Sequence, residues 1–433
     1  MFQPSQTNPS QHRRPWAWIP TLYLAEGLPN ALVTTVALLL YKALGVSNTK
    51  VAFYTGLFYL PWVLKPLWSP LVDLLRTRRL WIWRTQILLS VAAGALACLL
   101  PASWFVPGSI VCFFLLAFSS ATHDIAADGF YILALSEQEQ SFFVGVRNAV
   151  YRLATLSMKG PFIFLVAALQ AELGNVRTAW MIAFAGLAIL FAALGIYHRS
   201  ILPRSAADRE GSWEGSTRFW RDFVETFRSF FGKRRIGVLL SFLLLYRFAE
   251  AQLLPMAQAF LIDSNESGGL GLSNRAFSMV YGTGGVIALM TGGLLGGWVV
   301  SRFGLRRCLW PMAFATHAPN ALFVYLAYAL PSSTGVVAAC VAAEQFGYGF
   351  GFTAYMLYMI HIARGQHQTA HYAICTGFMA LGLMLPGMWS GWLQDLLGYP
   401  RFFMWVLIAT LPGFIVTALI PVQEGFGRKQ DTR

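Results

Sequence analysis

The chain has 433 residues, 56% of them hydrophobic and 12% charged, with a formal net charge of +13. Soluble domains carry about 25% charged residues, so this composition excludes an ordinary soluble protein. The basic residues lie in short segments between long apolar runs, which makes them a signal of membrane topology and argues against nucleic-acid binding.

In chain order, residues 1–15 are polar and read as a disordered cytoplasmic N-terminus. No signal-peptidase pattern follows the first apolar run, so that run is expected to stay as a helix. Six apolar runs come first, at 16–41, 51–73, 80–100, 107–133, 142–170 and 178–198. Runs of roughly 20 residues are long enough to cross a hydrocarbon core of about 30 Å, and these lack the strict alternation of barrel strands. A basic linker at 199–235 follows, and then six more runs at 236–262, 276–300, 307–330, 334–362, 370–395 and 401–421. The expectation is two six-helix bundles, 16–198 and 236–421, with a cytoplasmic tail at 422–433.

Within the linker, STRFWRDFVETFRSFF places Phe219, Phe223, Phe227 and Phe230 on one helical face, the pattern of an amphipathic helix lying at the membrane surface. Arg13 and Arg14, then Arg76, Arg78 and Arg79, the linker arginines, Arg302, Arg306 and Arg307, and Arg428, Lys429 and Arg433 all fall on one side of the alternating spans. The opposite loops hold only Lys42, Lys50, Arg177, Arg275 and Arg401. Positive residues collect in cytoplasmic loops, so both termini and the linker are expected in the cytoplasm. The five cysteines, at 98, 112, 308, 340 and 375, show no metal-binding spacing and read as small packing residues.

The halves echo each other. LYLAEGLP in the first run and LYRFAEAQLLP in the seventh align Glu26 with Glu250, while SPLVDLLRTRR after the second run is matched by GWVVSRFGLRR after the eighth. Six plus six helices in parallel repeats is the plan of the major facilitator superfamily, with cargo bound near the bilayer midplane. In the two loops, Asp73, Arg76, Arg302, Gly304 and Arg306 are the candidate gating residues, since small residues let helices approach and arginines can cap helix ends or pair with acids.

Ionisable residues inside a membrane are costly and point to function or to a partner. At about 1.5 Å of rise per residue, Glu26 and Glu250 fall near the middle of their spans. Arg247 precedes Glu250 by three residues, which allows a pair on one helical face. The stretch SSATHDIAADGF puts Asp124 and Asp128 four residues apart on one face, at a depth that suits Lys65 of the second run. Arg147 and Arg152 of the fifth run reach nearly the same level, so Lys65, Asp124, Asp128, Arg147 and Arg152 are expected to form one polar network in the first half. Such a network is either structural or exchanges partners with protons and cargo. Glu344, beside Gln345, is a further candidate early in the tenth run. Gly347, Gly349 and Gly351 follow no strand and read as helix-packing residues, and His317, His361 and His371 as hydrogen-bonded structural groups.

The run YLPWVLKPLWSPLVD, the stretch SSATHDIAADGF, the Tyr151–Arg152 pair and Glu344–Gln345 before the glycine run together resemble the AmpG-type muropeptide permeases of the major facilitator superfamily. The similarity covers essentially all of the membrane region. It implies an all-α fold of about twelve transmembrane helices and import of anhydromuropeptides across a bacterial inner membrane, driven by protons. Two departures stand out: His123 occupies a place where the family pattern has Gln, and the two additional spans of some relatives have no counterpart. Related branches carry acetyl-CoA or siderophores, so a carboxylated siderophore or another small organic anion is the alternative cargo.

No GxxxxGK[ST] phosphate loop occurs, which argues against ATP-driven transport by this chain. Adjacent residues on a helix point about 100° apart, and no nucleophile or metal set accompanies His123 and Asp124, so a membrane-embedded enzyme is the distant alternative. The reading is a secondary transporter that acts on a small molecule and protons within a lipid bilayer, as a monomer and without a cofactor or metal.

Overall fold

The computed structural model describes residues 15–46, 54, 55, 57–204, 208 and 216–428, without the side chains of residues 216–219, 274 and 275. The expectations for residues 1–14, with Arg13 and Arg14, and for Lys50, Arg209, Lys429 and Arg433 lie outside the described residues.

Among the described residues the chain forms helices and no strand. Lipid offers no hydrogen-bond partners, so a long apolar segment satisfies its backbone by coiling on itself. Eight helical stretches among the described residues are long and apolar enough to cross a membrane. One of them, Gln368–Leu419, covers the predicted eleventh and twelfth runs, which part at Gly398, where φ is 69° and ψ 160°. Of the predicted runs at 51–73, 307–330 and 334–362, Leu60–Leu75, Leu305–His317, Asn320–Ala329 and Thr334–Ala363 are helical as well. Two compact units result, one of Met1–Ala134 with Val150–Val224 and one of Leu135–Ala149 with Glu225–Arg433.

In the first unit, α1 (Ile19–Ala31) passes through a π-helical turn at Leu32–Val36 into α2 (Ala37–Ala43). α3 (Leu60–Leu75) carries Pro61, Pro66 and Pro70. α4 (Arg78–Leu99) starts at Thr77, whose hydroxyl accepts from the Leu80 amide at 3.2 Å. α5 (Phe105–Ala134), the end of α6 (Glu137–Lys159), α7 (Pro161–Leu173) and α8 (Val176–Ile201) complete it. Its core joins Leu32, Leu40, Phe58, Leu96, Phe113 and Phe184. Lipid tails are as apolar as leucine, so close packing and internal polar contacts hold such helices together. Tyr41 and Ser109 supply one such contact, oxygen to oxygen at 2.8 Å. Large apolar side chains on these helices, including Val111, Phe164 and Ile189, are exposed, as a lipid-facing surface requires.

The second unit starts with the first half of α6 and continues through the end of α9 (Ser216–Phe231) into a span broken in two, α10 (Ile236–Leu245) and α11 (Phe248–Ile262). α12 (Asn274–Phe277) leads through a π-helical stretch at Ser278–Gly285 to α13 (Val286–Phe303). The next span is also broken, into α14 (Leu305–His317) and α15 (Asn320–Ala329). α16 (Thr334–Ala363), α17 (Gln368–Ile408) and α18 (Leu411–Leu419) follow.

Glycines set the packing here. A β-carbon on Gly349 would lie 2.1 Å from the Leu289 carbonyl oxygen, one on Gly347 1.9 Å from that of Ala315, and one on Gly351 1.6 Å from Thr316 Oγ1. The glycine run therefore seats α16 against α13 and α14. The same property explains why Leu135–Ala149 groups with the second unit and not with the 16–198 bundle of the sequence reading. A β-carbon on Gly145 would be 2.3 Å from the Gly293 carbonyl oxygen, and one on Gly297 2.7 Å from that of Phe142, so α6 and α13 meet backbone to backbone.

Part of the expected lipid-facing stripe of α9 packs on protein instead. Phe230 is buried with its ring 5.4 Å from the His371 imidazole, and His371 Nε2 lies 3.1 Å from the Thr226 carbonyl oxygen, while Trp220 and Val224 remain exposed. Just beyond, Lys233 donates to the carbonyls of Ile362 and Arg364 at 2.7 and 3.0 Å, capping the end of α16. Burial in that contact pushes the Lys233 ammonium below its usual pKa.

Candidate transport site

The first unit brings four buried or partly buried charged side chains together on α1, α3 and α5. Lys65 Nζ is ion-paired with Asp124 Oδ2. Asp128 accepts a hydrogen bond from Tyr23 at 3.2 Å, and carboxylate oxygens of Glu26, Asp124 and Asp128 all lie within 4.8 Å of one another. Lys65 feels all three acids. Three such oxygens could hold a metal ion, but the Lys65 ammonium already supplies the positive charge among them. The four-residue spacing of the two aspartates thus does what a shared helical face implies.

Arg147 is in the part of α6 grouped with the second unit, with its guanidinium 5.9 Å from the Tyr372 ring centre. Arg152 is exposed and makes no ion pair among the described residues. Glu26 joins the group that was expected without it. Sequence reasoning also passed over a buried chain beside Asp124: Thr21 Oγ1 lies 3.0 Å from His198 Nε2, His198 Nδ1 2.9 Å from Gln86 Oε1, and Gln86 Nε2 2.8 Å from His123 Nε2. The only local signal for it was a histidine in an apolar run.

In the second unit the expected pair of Arg247 with Glu250 is absent among the described residues. The helix is interrupted at Tyr246 and Arg247, so the face-sharing rule for residues three apart in a continuous helix does not apply. Arg247 instead hydrogen-bonds the Tyr348 hydroxyl and lies 4.8 Å from the Phe352 ring centre. Glu250 Oε1 meets His317 Nδ1 at 2.7 Å, with both side chains 1% exposed. Glu344 is buried and accepts from Gln345 at 2.8 Å. An apolar recess in the same unit, lined by Met279, Val280, Ala338 and Ala342 among others, includes none of these charged residues.

The loop residues build different devices in the two units. Asp73 pairs with Arg78, and Asp208 accepts from the Arg78 and Arg79 amides at 2.8 and 3.0 Å, capping α4. Arg76 is exposed. In the second unit Gly304 has φ 81° and ψ 153°, a conformation that favours glycine, and the Leu305 amide that follows donates to the Phe426 carbonyl at 2.9 Å. Arg306 pairs with Glu424, and Arg302 is exposed in the last turn of α13.

A helical fold in two units, each holding buried acids, is the kind of arrangement a membrane transporter needs. The family model described as Major Facilitator Superfamily matches residues 21–385. The chain belongs to the Major Facilitator Superfamily. Within the superfamily it is 26% identical over 403 residues to the anhydromuropeptide permease of Escherichia coli strain K12, covering 91% of this chain and 77% of that one. It is 23% identical over 403 residues to a protein of Rickettsia conorii named putative transporter AmpG 4, covering 91% and 94%. The resemblance to AmpG-type permeases thus extends along most of the sequence. Among solved structures, the Escherichia coli fucose:proton symporter FucP superposes with a TM-score of 0.65 at 17% identity over 94% of this chain and 99% of that one. The proton:xylose symporter XylE gives a TM-score of 0.59 at 12% identity, over 93% of each chain. This superfamily member is a multi-pass membrane transporter and not an enzyme.

Proposed function

We propose that this protein is a proton symporter of the bacterial inner membrane that imports a cell-wall-derived muropeptide, or a related amino-sugar fragment, by alternating access, with both termini in the cytoplasm. The observation that carries the reading is the group of three carboxylates around Lys65. Three acids gather beside the Lys65 ammonium in an apolar bundle, and carboxylates held inside a membrane are groups that can take up protons. Arg152, exposed and free of an ion pair among the described residues, suits the carboxylate of such a cargo. The similarity to an anhydromuropeptide permease supports the cargo class, and the shared fold with two proton symporters is compatible with proton coupling.

Purified protein in liposomes with an imposed pH gradient tests the reading. Labelled anhydromuropeptide should accumulate, and a protonophore should abolish the accumulation. Uptake that persisted with the protonophore and required sodium would overturn proton coupling, and uptake of a ferric siderophore in place of the muropeptide would replace the cargo.

A further inference from the structure

The second unit holds a buried acid–imidazole pair at a point where three helical spans are interrupted. α10 gives way to α11 at Tyr246–Arg247, α14 to α15 at Ala318–Pro319, and α17 to α18 at Ala409–Thr410. Glu250 lies in the first turn of α11, and His317 is the last residue of α14. Gly413 of α18 leaves room for the imidazole, because a β-carbon there would sit 2.7 Å from His317 Nε2. Glu250 Oε2 and His317 Nε2 are buried and have no hydrogen-bond partner among the described residues, and the same holds for both side-chain polar atoms of Asn320, at the start of α15. A purely structural Glu–His contact would be expected to satisfy its outer atoms, since an unsatisfied buried polar group costs about 1 to 3 kcal/mol.

We infer that Glu250 and His317 form a second proton-binding site, in the second unit, whose occupancy is coupled to transport. The inference rests on the proton-symport reading above. The charges around the pair can be counted element by element. The break between α10 and α11 presents Tyr246 and Arg247, α11 Glu250, α14 His317, and α16 Glu344, Tyr348 and Tyr355. Phe414 of α18 covers the imidazole with its ring centre 4.9 Å away. Among these described residues, the pair meets a second carboxyl, Glu344, and the guanidinium of Arg247, so an added proton has the Glu250 carboxylate or the His317 imidazole to bind. That proton comes from hydronium on one side of the membrane and returns to water on the other; it forms an N–H or O–H bond with the pair, and no other bond changes. Full burial means the proton is exchanged only when the interrupted helices shift to admit water. That is the property a coupling site needs, because leakage in the closed state would dissipate the gradient.

Glu250→Gln and His317→Gln keep the size and polarity of the pair and remove the exchangeable proton. Two readouts separate this inference from the cargo assignment. Infrared difference spectra of the purified protein between acid and alkaline pH need no cargo, and Glu250→Gln should remove a carboxyl band that His317→Gln shifts. In liposomes, the ratio of gradient-driven accumulation to cargo exchange should fall by about tenfold or more in both variants. Thermal melting in detergent reports whether each variant is folded. If Glu250→Gln and His317→Gln left the spectra unchanged, the pair would be a structural contact and the inference would fail. If the wild type did not accumulate the muropeptide yet the spectra changed as expected, the cargo would be wrong and the site would stand.

Discussion

The two units face the same problem, acids inside apolar helices, and solve it with different chemistry. The first unit sets Lys65 of α3 against Asp124 of α5 and brings Glu26 and Asp128 to the same place. The second holds Glu250 to His317 at interrupted helices and turns its arginine toward tyrosine and phenylalanine rings. Glu26 and Glu250 align in the repeat, yet one sits in a group of carboxylates served by an ammonium and the other has an imidazole. Repetition has preserved the position of the acid and not its partner. Substitutions that treat the units differently should therefore expose the contrast.

The largest effect is expected at the ion pair. Lys65→Met leaves the buried Asp124 carboxylate without its ammonium and should destabilise the folded protein by about 3 to 5 kcal/mol, whereas removing both partners as Lys65→Met with Asp124→Leu should restore part of it, since Glu26 and Asp128 stay in place. Melting curves of the two single variants and the double variant in detergent give the coupling directly. Equal melting of the single variant Lys65→Met and the wild type would show that the first unit does not depend on that charge.

A smaller loss, about 1 to 3 kcal/mol, is expected for Gly351→Ala in the second unit, where the new β-carbon would overlap Thr316 Oγ1. Gly186→Ala in the first unit adds a β-carbon with nothing within 4 Å and should leave the melting temperature unchanged or slightly raised. Comparable losses at the two sites would remove the distinction between them.

How far the sequence revealed these features depends on how local their causes are. The apolar runs stand out because membrane thickness sets their length. Lys65 and Asp124 could be matched because helical rise converts sequence position into depth. Asp124 and Asp128 could be matched because four residues nearly complete a turn. The same reasoning failed for Arg247 and Glu250, where an interruption at Tyr246 and Arg247 changes the face each side chain presents. His317 read as a hydrogen-bonded group, but its partner, Glu250, could not be named because it lies 67 positions away and only tertiary packing brings it near. The chain of Thr21, His198, Gln86 and His123 was hidden for the same reason.

The smallest expected effects compare the two loops. Asp208→Ala removes the buried carboxylate that caps α4 and should cost about 0.5 to 2 kcal/mol. Glu424→Gln removes an exposed partner of Arg306 and should change stability by less than about 1 kcal/mol, with the difference fading further in high salt. Chemical denaturation of both variants at low and high ionic strength checks the order, and a larger loss for Glu424→Gln would reverse it.

The prolines of α3 bear on how the ion pair could open. Pro66 and Pro70 have no amide hydrogen, so the rungs that would join them to Trp62 and Pro66 are missing, and the Ser69 hydroxyl returns a bond to the Pro66 carbonyl at 3.0 Å. Lys65 is thus mounted on a rod with low stiffness on one side of its attachment point. Bending there swings the ammonium away from Asp124 at far less cost than unwinding an intact helix, which gives the cation a built-in pivot.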